Sequence, residues 1–125
     1  VAALGTHLTP DALAKGIMTA MNVQHLALQV ESARMRVERT QALVDRLAGE
    51  RVRIDAEWTA VNRRVLVEQD PARILELEKR LRELSAESKG LHEQEHRALE
   101  RRSEAQDQHV EADKRHKAAE KAHGL

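Results

Sequence analysis

Cysteine, phenylalanine and tyrosine are absent from the 125-residue sequence, and Trp58 is its one aromatic residue. Aromatic side chains supply much of the area that fills a three-dimensional core, so their lack argues against a compact globule. A seam between two helices needs only Leu, Val, Ile and Ala. Without cysteine there is neither a disulfide nor a thiolate zinc site. Acidic and basic residues balance at 21 each, so no general electrostatic pull toward nucleic acid or an anionic membrane is expected. No stretch approaches ~18 consecutive apolar residues, and the start lacks a basic segment followed by an apolar one. The expectation is a cytoplasmic chain with no membrane insertion.

What is present is helix-forming: Ala, Leu, Glu, Arg and Lys run throughout, and 34% of the residues are charged. That is the composition of a coiled coil or long helix. Residues 1–9 carry no periodic signal. Thr9-Pro10-Asp11 then reads as an N-cap followed by Pro and an acidic residue in a first helical turn. A short helix to about Met21 is predicted, weakened by Gly16, with Leu13, Ile17 and Met21 on one face.

From Val23 the apolar residues alternate in steps of three and four through Leu26, Val30, Ala33, Val37, Thr40, Val44, Leu47, Arg51, Ile54, Trp58, Val61 and Val65. This is a heptad seam with Arg51 as its charged interruption. A second seam runs from Ile74 and Leu77 through Leu81, Leu84, Ser88, Leu91, Glu95, Ala98, Arg102 and Ala105 to His109, Ala112, His116, Ala119 and His123. Between them, Glu68-Gln69-Asp70-Pro71-Ala72 offers Asp70 as a cap and Pro71 as the first residue of a new helix.

Phase distinguishes a turn from a kinked continuous helix. Continuing the first heptads from Val65 would place Glu68, Ala72 and Leu75 on the seam, whereas the second seam restarts at Ile74 and Leu77. A skip of two residues is not one that coiled coils absorb by over- or under-winding. The chain should therefore reverse near residues 68–72. The fold class is all-α, a long two-helix antiparallel coiled-coil hairpin over residues 23–125, preceded by an N-terminal segment, residues 1–22, with its short helix. Folding about this turn should bring Trp58 near Leu81, set Gly49 level with Gly90 and Arg51 level with Ser88, and create a weak layer there. The seam's apolar strength fades after Leu91, so the half nearer the turn should be the more stable.

Several strings have functional readings. His92-Glu93-Gln94-Glu95-His96 matches the H-E-x-x-H pattern of zinc peptidases, but that chemistry needs a third ligand and a concave, water-excluding cleft. The expectation is no enzyme, no metal, no cofactor and no small-molecule substrate. His109, His116 and His123 recur every seven residues on the second seam, where protonation between about pH 5 and 7 would bring charge into the interface. They form a candidate pH-sensitive seam, set against the plainer reading of a solvated helix end. Arg34, Arg36, Arg39, Arg63 and Arg64 lack the interleaved aromatics of a nucleic-acid surface, so nucleic acid is not an expected partner. Met21, Leu28 and Met35 repeat every seven residues on a face other than the seam, and Leu43 extends the apolar character. A helix that is apolar on more than one side packs against more than one neighbour, so these four are the candidate partner-binding residues. The occupant is the N-terminal helix through Leu13 and Ile17, a protein partner, or a second copy of the chain.

The span over residues 23–124, two long helices about a Glu-Gln-Asp-Pro turn with almost no aromatics, resembles the FliJ/YscO family of type III secretion and flagellar export. The resemblance is one of architecture. It implies a stalk inside a hexameric export ATPase ring, contacting the export gate and secretion chaperones, and it assigns no site residue. The functional expectation is a non-enzymatic protein–protein interaction module, a stalk or adaptor in a larger cytoplasmic assembly. The alternatives are a self-assembling structural coiled coil and a finger-like regulator of a nucleic-acid enzyme, the last suggested by the acidic tip at Glu68 and Asp70.

Overall fold

The structure, a computed structural model, describes residues 9–124. It consists of two helices packed antiparallel: α1, Pro10–Val67, of 58 residues, and α2, Pro71–His123, of 53 residues. Residues 1–8, the greater part of the aperiodic start, lie outside the described residues.

The expected short N-terminal helix is not a separate element. Thr9 caps as predicted, its Oγ1 accepting from the Ala12 N–H at 3.0 Å and its carbonyl from the Leu13 N–H at 3.0 Å. The helix it opens does not stop near Met21 but continues through Val23 into the seam. The reason is local. Met21-Asn22-Val23 contains neither Pro nor Gly, and extending a formed helix adds one hydrogen bond per residue without a new nucleus. Gly16, at a cost of up to ~1 kcal/mol relative to Ala, is not enough to break it.

The reversal occupies Glu68, Gln69 and Asp70, within the two to five residues typical of antiparallel helix connections. Asp70 Oδ1 accepts from the Ala72 N–H at 3.1 Å, and the Asp70 carbonyl accepts from the Ile74 N–H at 3.0 Å. Pro71 stands at the first helical position, where a missing N–H costs nothing. Glu68 folds back so that its Oε1 accepts from the N–H groups of both Gln69 and Asp70 at 3.2 Å. Both acidic side chains of the tip are therefore engaged in holding the turn.

The chain divides into two compact units: Glu38–Ser103, which contains the turn, and Val1–Val37 together with Glu104–Leu125. In the turn unit the buried seam residues are Val44, Leu47, Ile54, Leu84 and Ala98, with Leu84 fully enclosed. Val44, Leu47 and Ala98 form one cluster, against which Leu43 and Leu91 pack. In the terminal unit the buried residues are Val23, Ala33 and Ala105, and the half-buried seam positions opposite α1 include His109, His116 and His123. Small and polar residues on α2 leave less apolar area to bury there than Leu84 and Leu91 provide near the turn. Amide hydrogen exchange is accordingly expected to be slower through residues 44–54 and 84–98 than through 23–33 and 105–119. The reverse order would contradict this distribution of the core.

Three cross-helix pairs of the turn unit share one register. Trp58 Nε1–H donates to Ser85 Oγ at 3.1 Å, Ser88 Oγ–H donates to Asp55 Oδ1 at 2.9 Å, and Arg102 donates to Gln41 Oε1 at 3.0 Å. Each step back along α1 is matched by an equal step forward along α2. Trp58 bonds Ser85, one turn beyond Leu81, and Arg51 bonds Glu95, two turns beyond Ser88. Side chains lean toward the N-terminus of their own helix. In an antiparallel pair the two leans are opposite, so side chains that touch belong to residues offset along the axis. Gly90 shares a groove with Glu50, Arg53 and Ile54. Gly49 and Gly90 both lie in unbroken helix, and a Cβ on either would meet nothing within 4 Å.

Candidate interaction surface

Three of the four apolar residues singled out off the seam lie on the back of α1. In the heptad frame set by Val23 and Val30 at one seam position and Leu26 and Ala33 at the other, Met21, Leu28 and Met35 occupy the position furthest from the partner helix. Their exposures are 62%, 69% and 47%. Ile17 and Leu13 extend the same side of the helix toward its N-terminus, at 61% and 49% exposed. All five belong to one unbroken helix, so Leu13 and Ile17 cannot fold back over Leu28. That removes the N-terminal helix as the occupant of this face.

Leu43 is placed differently. It directly precedes the seam residue Val44, and it packs against the cluster of Val44, Leu47 and Ala98. Its remaining surface lines a small groove with Leu47, Gln94, Arg97 and Arg101. Leu43 therefore flanks the seam, and the structure does not bring it together with Met21, Leu28 and Met35.

The histidines of the second seam sit half-buried at its terminal end. His116 Nδ1 lies 3.0 Å from Glu120 Oε1. Nearby, Lys117 Nζ contacts Asp113 Oδ2 at 2.8 Å. That hydrogen bond holds the Asp113 carboxyl below its ordinary range and raises the lysine. In His92-Glu93-Gln94-Glu95-His96, Glu95 is taken by Arg51, and His96 Nε2 lies 3.0 Å from Glu100 Oε1. Among the described residues no three His, Asp or Glu side chains gather into a group able to hold a metal ion. Of the arginines considered for nucleic acid, Arg34 pairs with Glu31 on its own helix and Arg36 reaches Gln108 across the terminal unit.

The sequence marked Arg51 as the charged interruption of the first seam and set it level with Ser88, and it carried Glu95 and Arg102 as seam positions without partners. The structure pairs them. Arg51 Nε–H donates to Glu95 Oε2 at 2.7 Å, with Asp55 Oδ2 3.6 Å from the same guanidinium. The side chains of Arg51 and Glu95 are only 28% and 16% exposed, and the Glu95 hydrogen bond is what raises Arg51 above the ordinary arginine range. Nearer the turn, two guanidinium nitrogens of Arg80 share Glu57 Oε1, at 2.7 and 3.2 Å, and a third lies 3.4 Å from Glu83. Trp58, at 37% exposed, borders an open groove with Asp55, Ser85, Ser88, Lys89 and His92. The signal for these layers was present as charged and small residues at seam positions; choosing partners required the side-chain offset.

The turn region adds exposed apolar residues that the heptad reading passed over: Leu66, Val67 and Leu75 are 76%, 78% and 66% exposed. They flank the Glu68-Gln69-Asp70 link, off the seam. No described helix is long and apolar enough to cross a membrane. Comparison with protein-family models, curated proteins and solved structures finds no match to this chain, and what it shares with FliJ/YscO is the two-helix antiparallel architecture.

Proposed function

We propose that this chain is a non-enzymatic protein–protein interaction module, a stalk or adaptor of a larger cytoplasmic assembly. It binds through the apolar stripe of Met21, Leu28 and Met35 on the first half of α1. The observation that carries the reading is Leu28, 69% exposed on the side of α1 away from α2, with Met21 and Met35 two turns away on either side along the same face. Leaving these side chains in water forfeits the stabilisation that burial gives, roughly 25 cal/mol per Å². Methionine, unbranched and polarizable, suits an adaptable contact.

The finer reading, a stalk of the FliJ/YscO type inside an export ATPase ring, rests on the antiparallel helices and their Glu-Gln-Asp-Pro turn. A self-assembling coiled coil is favoured by one specific observation, the constant seven-residue spacing of the exposed stripe. A finger-like regulator would act through an acidic tip at which one oxygen each of Glu68 and Asp70 already accepts from backbone N–H groups of the turn.

The test replaces Leu28 and Met35 together with glutamate. Both side chains are solvent-exposed, so helicity by circular dichroism is expected to stay within a few per cent of the parent, as for surface substitutions generally. Association, measured as mass in solution and as retention of partner proteins by the immobilised chain, is expected to fall by tenfold or more, since two charges would enter an apolar contact. Unchanged association with intact helicity would eliminate this surface.

A further inference from the structure

Every residue of α1 from Pro10 to Met18 is exposed. In the terminal unit Arg36 reaches Gln108, and equal steps in opposite directions from that pair set Ala20 about level with Gly124. There α2 is closed off: Gly124 has a positive φ of 77°, and its N–H donates to the Lys121 carbonyl at 3.2 Å. The first turns of α1 therefore project past the helix that covers the seam. Their surface is not evenly polar. Between Pro10 and Met21 the only charged side chains are Asp11 and Lys15, and at 3.6 residues per turn both lie on the side of the helix opposite Leu13. On the side of Leu13, the residues Leu13, Ile17 and Met21 follow one another at four-residue spacing, 49%, 61% and 62% exposed, with Met18 beside Met21 at 69%.

We propose that this projecting face is covered by the chain's own preceding segment, residues 1–8, laid back along α1 over Leu13 and Ile17 as far as Met21. The cap aims it there. Thr9 is the N-cap, its Oγ1 accepting from the Ala12 N–H and its carbonyl from the Leu13 N–H. Leu8 and Leu13 are then the two residues that pack together across the cap in a hydrophobic staple, which fixes the angle at which the chain enters the helix. The composition suits the face: Val1-Ala2-Ala3-Leu4-Gly5-Thr6-His7-Leu8 holds no Asp, Glu, Lys or Arg, so an apolar surface takes it without burying a carboxylate, ammonium or guanidinium. Length sets the limit. Eight extended residues span at most about 26 Å at ~3.3 Å each, the length of about 17 residues of helix at ~1.5 Å of rise. Leu13, Ile17 and Met21 lie within that distance of Thr9, and Leu28 lies beyond it. A tethered segment meets its site at an effective concentration in the mM range, so a contact too small to hold a separate partner suffices here. Leu28 and Met35 are left open, and Met21 becomes the edge at which the partner surface begins.

The chain has no cysteine, so double cysteine variants report the contact directly. Thr6→Cys with Ile17→Cys keeps Leu4, Leu8, Leu13 and Met21 in place. Under mild oxidation it is expected to close an intrachain disulfide at least about tenfold faster than Thr6→Cys with Lys15→Cys, whose second thiol stands at a similar height on the opposite side of α1. Equal rates overturn the proposal and leave the face to a separate partner. A disulfide that joins two chains instead assigns the face to a second copy and overturns it as well. In the cysteine-free chain, Leu4→Ser with Leu8→Ser is expected to speed amide hydrogen exchange through residues 14–21 at least about threefold while residues 23–33 keep their rate, because only the projecting turns lose their cover. Exchange that stays unchanged over residues 14–21 overturns the proposal. Partner retention through Leu28 and Met35 is moved by none of these results and is decided by the glutamate variant alone.

Discussion

Replacing Leu84 with alanine is expected to destabilise the turn unit by about 2 to 5 kcal/mol, the range for deleting a buried leucine side chain. Leu84 is the one large side chain among the described residues with no solvent exposure. It sits where both helices supply apolar seam residues, and the neighbouring layer toward the chain ends is already polar. A two-helix interface has little depth, so little else can move in to fill the cavity. Urea unfolding followed by circular dichroism should show a midpoint well below the parent's. The control is Leu75→Ala on the same helix: Leu75 is 66% exposed, and surface substitutions typically change stability by less than about 0.5 kcal/mol. Equal losses at the two positions would mean that α2 presents a different face to α1.

This contrast between two leucines nine residues apart shows how far the sequence could be read. Heptad spacing alone put Leu84 inside and left Leu75 off the seam, and the two-residue phase skip at Asp70-Pro71 located the reversal. Those signals are local and periodic, so they survive translation into structure. The N-terminal boundary failed for a different reason. The heptad run that starts at Val23 looked like the start of a new element, but a break also needs something to replace the lost helical hydrogen bonds, and Met21-Asn22-Val23 supplies nothing.

The consequence for function is direct. A separate N-terminal helix could have folded back over Met21 and Leu28 and left the chain without an open apolar face. One continuous helix cannot do so, and Leu13 and Ile17 become part of the exposed stripe instead of its cover. Leu43 shows the complementary limit: apolar character was legible, but only its place beside Val44 decided that it packs into the seam. The residues furthest from the seam were the ones whose periodicity, rather than hydrophobicity alone, separated a second surface from the first.

The polar seam layers were the least legible feature, and they yield the second large expected effect. Arg51 and Glu95 occupy seam positions on opposite helices and are joined at 2.7 Å with little exposure. Removing water from two charges offsets much of what their attraction returns, so such pairs are weak sources of stability and can instead fix register. Glu95→Leu alone should lower the urea midpoint, because it leaves the Arg51 guanidinium in the seam with only Asp55, 3.6 Å away and itself bonded to Ser88. Changing both, Arg51→Leu with Glu95→Leu, should restore the midpoint to that of the parent or above it. The cost should appear as lost uniqueness. A leucine seam no longer distinguishes the native alignment from one slipped by a heptad, nor a hairpin from higher assemblies that use the same stripe. Spin labels at Glu57 and Arg80, which are paired across the native interface, should then give a broadened or doubled distance distribution in place of a single short one. A double variant that keeps one sharp distance and the parent's mass would show that alignment is set by the apolar layers and the turn, with the ion pair contributing nothing to it.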